Sequence, residues 1–397
     1  MQFPSGGRPR AATSAAGLAA LLALLLSGCV GPPLPTDREL VTTDPKLIGI
    51  PARDKVLWQY RLGLQALRAG RDAEARERLD DAILTMGGII TGTADAARAR
   101  SLWAAEGAKT FIGEPYERAM AYYYRGILYW RDGQPDNARA CFRSVQFLDS
   151  AAEDASYRGD YVLADYLDGL ASVKLAADGA DARARAEKSA GRELPEYDPA
   201  ANVLVFAEWG RGPLKYADGQ AGEKLRFNLA DSAARRAVLT VAGQAVPLPP
   251  YDDLNFQATT RGGRVMDYIL DRKAVFKDQA GTLGDVALTG AIVTHEVGRG
   301  EDKDKAALAL AAIGLISKVA SGAANASADT RAWDNLPQYL GFAALRLAPG
   351  EYPATLRFYS AEGRVLSAHT QELVIRVREG GAGDTVVFLS ELAKNPQ

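Results

Sequence analysis

Few side chains in this sequence have the types and spacing that catalysis requires. The two histidines, His295 and His369, lie far apart, and neither has a second histidine or a cysteine at metal-ligand spacing. Both read as structural, and no metal site is expected. Tyr251-Asp252-Asp253 sets two acids side by side, but Pro249 and Pro250 precede them, so the segment reads as a turn. Acid–base work by paired carboxylates needs convergence from separate elements. The pair therefore leaves a cell-wall or glycan hydrolase open only as an alternative. Gly210-Arg211-Gly212-Pro213 lacks the lysine and following hydroxyl residue of a phosphate loop, and no Gly-x-Ser-x-Gly elbow occurs. The expectation is a non-enzymatic chain with no catalytic residue and no cofactor. What remains is thiol chemistry, at Cys29 near the start and Cys141 in mid-chain.

The first thirty residues put Cys29 in an export context. Arg8 and Arg10 make a basic start, an apolar run covers Leu18 to Leu26, and Ser27-Gly28 precede the thiol. The run is too short to span about 30 Å of hydrocarbon as a permanent helix. Leu26-Ser27-Gly28-Cys29 resembles the lipobox of bacterial lipoproteins. That resemblance implies cleavage of a signal peptide 1–28, lipidation of Cys29 and anchoring of the chain to a membrane. Several acyl chains hold far more firmly than one, at about 0.8 kcal/mol per buried methylene. Val30 in place of an aspartate implies, by similarity to enteric sorting rules, an outer-membrane lipoprotein facing the periplasm. Proline-rich Gly31 to Pro51 reads as a spacer within a tether 29–51, reaching up to roughly 60 Å if extended.

Composition narrows the rest. The formal charge of −2 offers no basic excess for nucleic acid. With Cys29 used for lipid, Cys141 has no internal disulfide partner, so stability must come from burial. The length suits two or three domains.

From Lys55 the apolar residues Leu57, Tyr60, Leu64 and Leu67 recur at helical spacing until Gly70-Arg71-Asp72, and Ala75, Leu79 and Ala82 form a second helical face. The arrangement returns in Tyr122, Gly126 and Tyr129, a break at Asp132-Gly133, then Ala138, Phe142 and Val145. Gly63-Ala75-Leu79 and Gly126-Ala138-Phe142 share the internal spacing of the tetratricopeptide repeat, in which small residues let helix axes approach and a large one fills the gap. Departures occur at Gln59, Ala66, Gly87 and Ser150. The two units also stand about 63 residues apart instead of 34, which calls for an inserted helix near Asp95 to Phe111. A degenerate third pair is expected over Asp160 to Ala190. In such scaffolds the first helix of each pair lines a concave groove. The resemblance places Tyr60, Leu64, Leu67 and Arg68, then Tyr123, Ile127, Trp130 and Arg131, on that face as contacts for a protein partner, residue types that dominate interfaces. The competing reading makes these aromatics core.

Past Pro195 the period shortens. Asn202 to Trp209, Lys224 to Leu229, Ala237 to Val241, Tyr339 to Leu347, Ala354 to Tyr359, Glu372 to Val377 and Thr385 to Leu389 read as strands, the last four as a meander within a β-sandwich. Helices are expected over Gly263 to Phe276 and Lys303 to Ala324. The apolar stretch Ala306 to Ile316 falls short of about 20 residues and reads as a helix covering the sheet.

Gly113-Glu114-Pro115-Tyr116-Glu117, continuing through Tyr122-Tyr123-Tyr124-Arg125-Gly126, and Asp329-Thr330-Arg331-Ala332-Trp333-Asp334-Asn335-Leu336-Pro337 resemble segments of an uncharacterised family of bacterial lipoproteins with a tetratricopeptide-like front and a β-rich back. Arg331 and Trp333 are expected to pair at the helix-to-strand junction. The fold expected is α+β: a tetratricopeptide-like helical domain over 52–193, then a β-sandwich-like domain with inserted helices over 194–397. The function expected is a protein–protein interaction scaffold in the cell envelope, with envelope or peptidoglycan assembly as its setting, membrane contact through lipid and no nucleic acid.

Overall fold

The computed structural model describes residues 42–91, 110–150, 158–219, 222, 224–260, 328–379 and 383–393. The expected signal peptide, Cys29, nearly all of the inserted helix at 95–111, the helices at 263–276 and 303–324, and His295 lie outside them. Among the described residues no helix is long and apolar enough to cross a membrane.

Among the described residues six helices come first: α1 (Lys55–Arg68), α2 (Asp72–Thr91), α3 (Pro115–Arg131), α4 (Pro135–Asp149), α5 (Val162–Lys174) and α6 (Ala180–Ala190). Each odd helix packs on the even one that follows, and α2 on α3 and α4 on α5 join the pairs. Gly70 and Gly133 make the tight breaks, both at positive φ that glycine adopts without a Cβ penalty. The small-to-large spacing has its physical cause in view. A Cβ on Gly63 would lie 3.1 Å from Leu79 Cγ, and one on Gly126 only 2.7 Å from Phe142 Cε1, so the bare backbone lets each pair close. Residues 42–51 are not the free spacer expected. Leu47 and Ile50 are buried, and Asp44 and Lys46 reach Arg78 and Glu74 on α2, so apolar burial and ion pairs dock the end of the tether on the first helix pair.

The strands are β1 (Val203–Trp209), β2 (Leu214–Asp218), β3 (Lys224–Asn228), β4 (Arg236–Val241), β5 (Gln244–Leu248), β6 (Pro250–Asp253), β7 (Tyr339–Leu345), β8 (Gly350–Tyr359), β9 (Gln371–Val377) and β10 (Thr385–Ser390). A one-and-a-half-turn helix, α7 (Leu254–Thr259), follows β6. One four-stranded sheet runs β10-β1-β7-β6, another β5-β4-β8-β9, and β2-β3 is a separate hairpin. The C-terminal strands are therefore not the meander expected. Only β8 and β9 pair as neighbours, whereas β7 lies antiparallel to β1 and β10 lies parallel to it on the other side. The reason is in β1 itself, whose Val-Leu-Val-Phe-Ala-Glu-Trp run is buried at every residue and so needs cover on both faces. Leu204 and Phe206 join Phe342, Phe388 and the helix residues in one core. Val203, Val205, Ala207 and Trp209 join Leu239, Leu356, Phe358 and Ile375 of the second sheet in another. Helices, central sheet and outer sheet thus form three layers, an α+β arrangement.

Candidate functional site

The inner face of the first two helix pairs is where sequence placed partner contacts, and the chain itself covers it. Tyr60, Leu64, Arg68, Tyr123, Ile127 and Trp130 are all buried, and Arg131 is partly so. As an open groove for a partner this set is corrected. Tyr123 meets Phe206 of β1 with ring centroids 6.4 Å apart, and Tyr124 meets Phe388 of β10 at 6.1 Å. Tyr60 stacks on Trp333 at 4.4 Å. The cover comes from the central sheet and the extended segment 328–338, because an all-buried β1 with a helix-facing apolar side has the inner helices as its partner surface.

Charged residues bind these layers together. Glu208, the single charge within β1, is fully enclosed and accepts from Arg68 Nε, Tyr124 hydroxyl and Ser390 Oγ, each at 2.6 Å. Trp130 Nε1 donates to Asp384 at 2.9 Å, and Lys174 Nζ reaches the same carboxylate at 2.7 Å. Arg131 lies along the helices, on Asp72 at 2.6 Å. Hydroxyls beside Glu208 are held protonated: burial first, then the Glu208 charge, pushes Tyr123 and Tyr124 well above the ordinary tyrosine range.

A second buried centre forms where segments 113–126 and 329–337 meet. Glu117, in the first turn of α3, accepts from Glu114 N at 2.6 Å, from Trp333 N at 2.7 Å and from Lys215 Nζ at 2.5 Å. Pro115 suits the first helical position, and the Glu117 carboxylate suits the positive helix end. Burial nevertheless lifts Glu117 above the usual carboxylate range, with Lys215 pulling the other way. Arg331 does not pair with Trp333 as expected. It bonds Asp54 at 2.6 Å and Asp329 at 2.7 Å, and stands over the Phe111 ring at 5.4 Å, while the indole goes to Tyr60. Arg61 completes the strap by donating to Ala332 O and pairing with Asp334, both at 2.9 Å.

The adjacent acids are not a turn pair. Asp252, at the end of β6, accepts from Val162 N at 2.9 Å and Leu163 N at 3.0 Å and so caps α5, while Asp253 accepts from Asn255 N at 2.9 Å and caps α7. Burial raises Asp252 to about 7, with Asp160 and Asp149 adding to the rise. His369 pairs at the surface with Glu391, 3.2 Å away. Cys141 is buried, which pushes its thiol up to about 12 and keeps it inert. Among the described residues, no group of three or more His, Cys, Asp or Glu could hold a metal ion.

Sequence reasoning missed Glu117, Glu208, Lys215 and Asp384. Glu208 carried a usable signal, since one acid inside an otherwise apolar strand must find a buried cation. Glu117 carried another, three residues beyond Glu114 at the start of a helix. Lys215 and Asp384 stand in short polar contexts with no pattern that marks them as buried. Compared with family models, with curated proteins and with solved structures, the chain finds no match.

Proposed function

We propose that this chain is an outer-membrane-anchored lipoprotein, tethered through Cys29, that acts as a protein–protein interaction scaffold in the cell envelope. The observation that carries the reading is Leu26-Ser27-Gly28-Cys29 behind a basic start and a short apolar run. Support comes from residues 42–51, which dock on α2 through Asp44 to Arg78 and Lys46 to Glu74, so that the described body begins well past the thiol. The helix pairs are read as tetratricopeptide-like on the close approaches of Gly63 to Leu79 and Gly126 to Phe142. The two stacked sheets are read as sandwich-like. Both readings support the resemblance to an uncharacterised lipoprotein family with a repeat front and a β-rich back.

The scaffold is read as non-enzymatic because the carboxylates that sequence singles out serve as helix caps. Since the inner helical face is filled by the chain's own sheet, partners in the envelope meet the outside of the body. The test is metabolic labelling with a palmitate analogue in the native host, followed by membrane fractionation. Wild type should be labelled and recovered with the outer membrane, and C29S should lose both label and membrane association. An unlabelled wild type found in the cytosol would overturn the proposal.

A further inference from the structure

At the end of the helical array remote from the docked tether, α4, α5 and α6 bring three arginines onto two buried acids. Asp168 accepts from Arg139 Nε at 2.9 Å and from Arg143 Nε at 3.0 and 3.1 Å. Arg185 reaches Asp165 at 3.2 Å and Asp168 at 3.5 Å. Both carboxylates are buried, whereas the Arg143 and Arg185 side chains are 59% and 53% exposed. Among the described residues three cations thus face two anions, and the other arginine of α6, Arg183, leans toward Glu187 and Glu196 at 3.8 Å each.

The geometry of these bonds matters more than the count. Arg139 and Arg143 engage Asp168 through Nε, and among the described residues their terminal nitrogens donate to no protein acceptor. A guanidinium held through Nε keeps its terminal donors available with less rotamer freedom to lose, the arrangement that suits bidentate oxyanions. Collecting like charges on one carboxylate also costs repulsion, which an added anion relieves. We propose that Arg139, Arg143 and Arg185 form a binding site for a phosphate group, with Asp165 and Asp168 as the buried acids that position them. The site stands independently of the lipoprotein reading, and its phosphate comes either from a soluble phosphate ester or from a lipid headgroup.

The test uses the full chain in detergent, titrated calorimetrically with pyrophosphate and, separately, with detergent-soluble short-chain phosphatidylglycerol against short-chain phosphatidylcholine. Wild type is expected to bind one of the two probes saturably, and R143Q/R185Q to bind it at least tenfold more weakly. R376Q, which disturbs only an exposed pair with Glu351, should bind like wild type. R143Q alone, with Asp168 still held by Arg139 and Arg185, serves if the double variant does not fold, and should weaken binding at least threefold. Absence of saturable binding to either probe, or equal binding by wild type and R143Q, would overturn the site.

Discussion

At the scale of single residues, enclosed charge sets this protein's chemistry. Asp252 is the clearest case, because its carboxylate leaves water to receive the first amides of α5. Its folded pKa of about 7 lies above the ordinary 3.8, so between those values the folded chain holds a proton that the unfolded chain has released. Stability contributed by this group is fully present below about 3.8 and is lost as pH rises through 7. One such proton sets a slope of up to about 1.4 kcal/mol per pH unit. Urea unfolding at pH 4.5, 5.5, 6.5 and 7.5 should show wild type losing stability relative to D252N across that window. Parallel pH profiles for the two proteins would remove Asp252 as the cause. Glu208 differs in kind, since three donors meet it, and truncating it would strand the Arg68 charge in the core. Sequence could signal that Glu208 needs a buried cation, but not which groups meet either acid, because those partners lie more than eighty residues away in the chain.

Among elements, the helices were the more readable. Their 3.6-residue period and their Gly-to-Ala-to-large spacing come from local packing, so Gly63 and Leu79, or Gly126 and Phe142, meet only sixteen residues apart. The two glycines are not equally constrained. A methyl at 126 would press within 2.7 Å of a rigid ring, whereas one at 63 faces a leucine that has rotamers to spare. G126A should therefore cost about 1–3 kcal/mol as overpacking, and G63A less, because alanine's helix propensity offsets part of a milder clash. Chemical denaturation of both variants checks the order, and a larger loss in G63A would contradict it. Strands were legible as strands at β1, β3, β4 and β7 to β10, but their order was not. Pairing of β10 beside β1 joins residues about 180 positions apart, and nothing in either segment's alternation names the other. Short β2, β5 and β6, with prolines and polar residues, carried too little periodicity to be seen.

For the molecule as a whole, the boundary drawn near residue 193 is crossed by one continuous core, from Val56 and Tyr60 through Leu204 and Phe206 to Phe388. Composition changes there from helical to extended, which is why sequence divides the chain at that point, yet the apolar faces on either side are each other's cover. Helical content by far-UV circular dichroism and tryptophan fluorescence, which reports Trp333 in the inner core and Trp209 in the outer one, should accordingly melt together. Separate midpoints would mean that the layers hold independently. The partner face assigned from aromatic residues failed for the same reason: tyrosine and tryptophan mark a buried contact without telling whether its other side is a second protein or a later stretch of the same chain.

Strand β10 follows β1 by about 180 residues and walls both cores of β1, through Phe388 on one side and Leu389 on the other. Synthesis runs from the N-terminus, so a nascent polypeptide halted short of residue 385 has no means of completing its interior. Contacts this distant also close slowly. The central sheet therefore cannot close around β1 until β10 has emerged, however early the helices form.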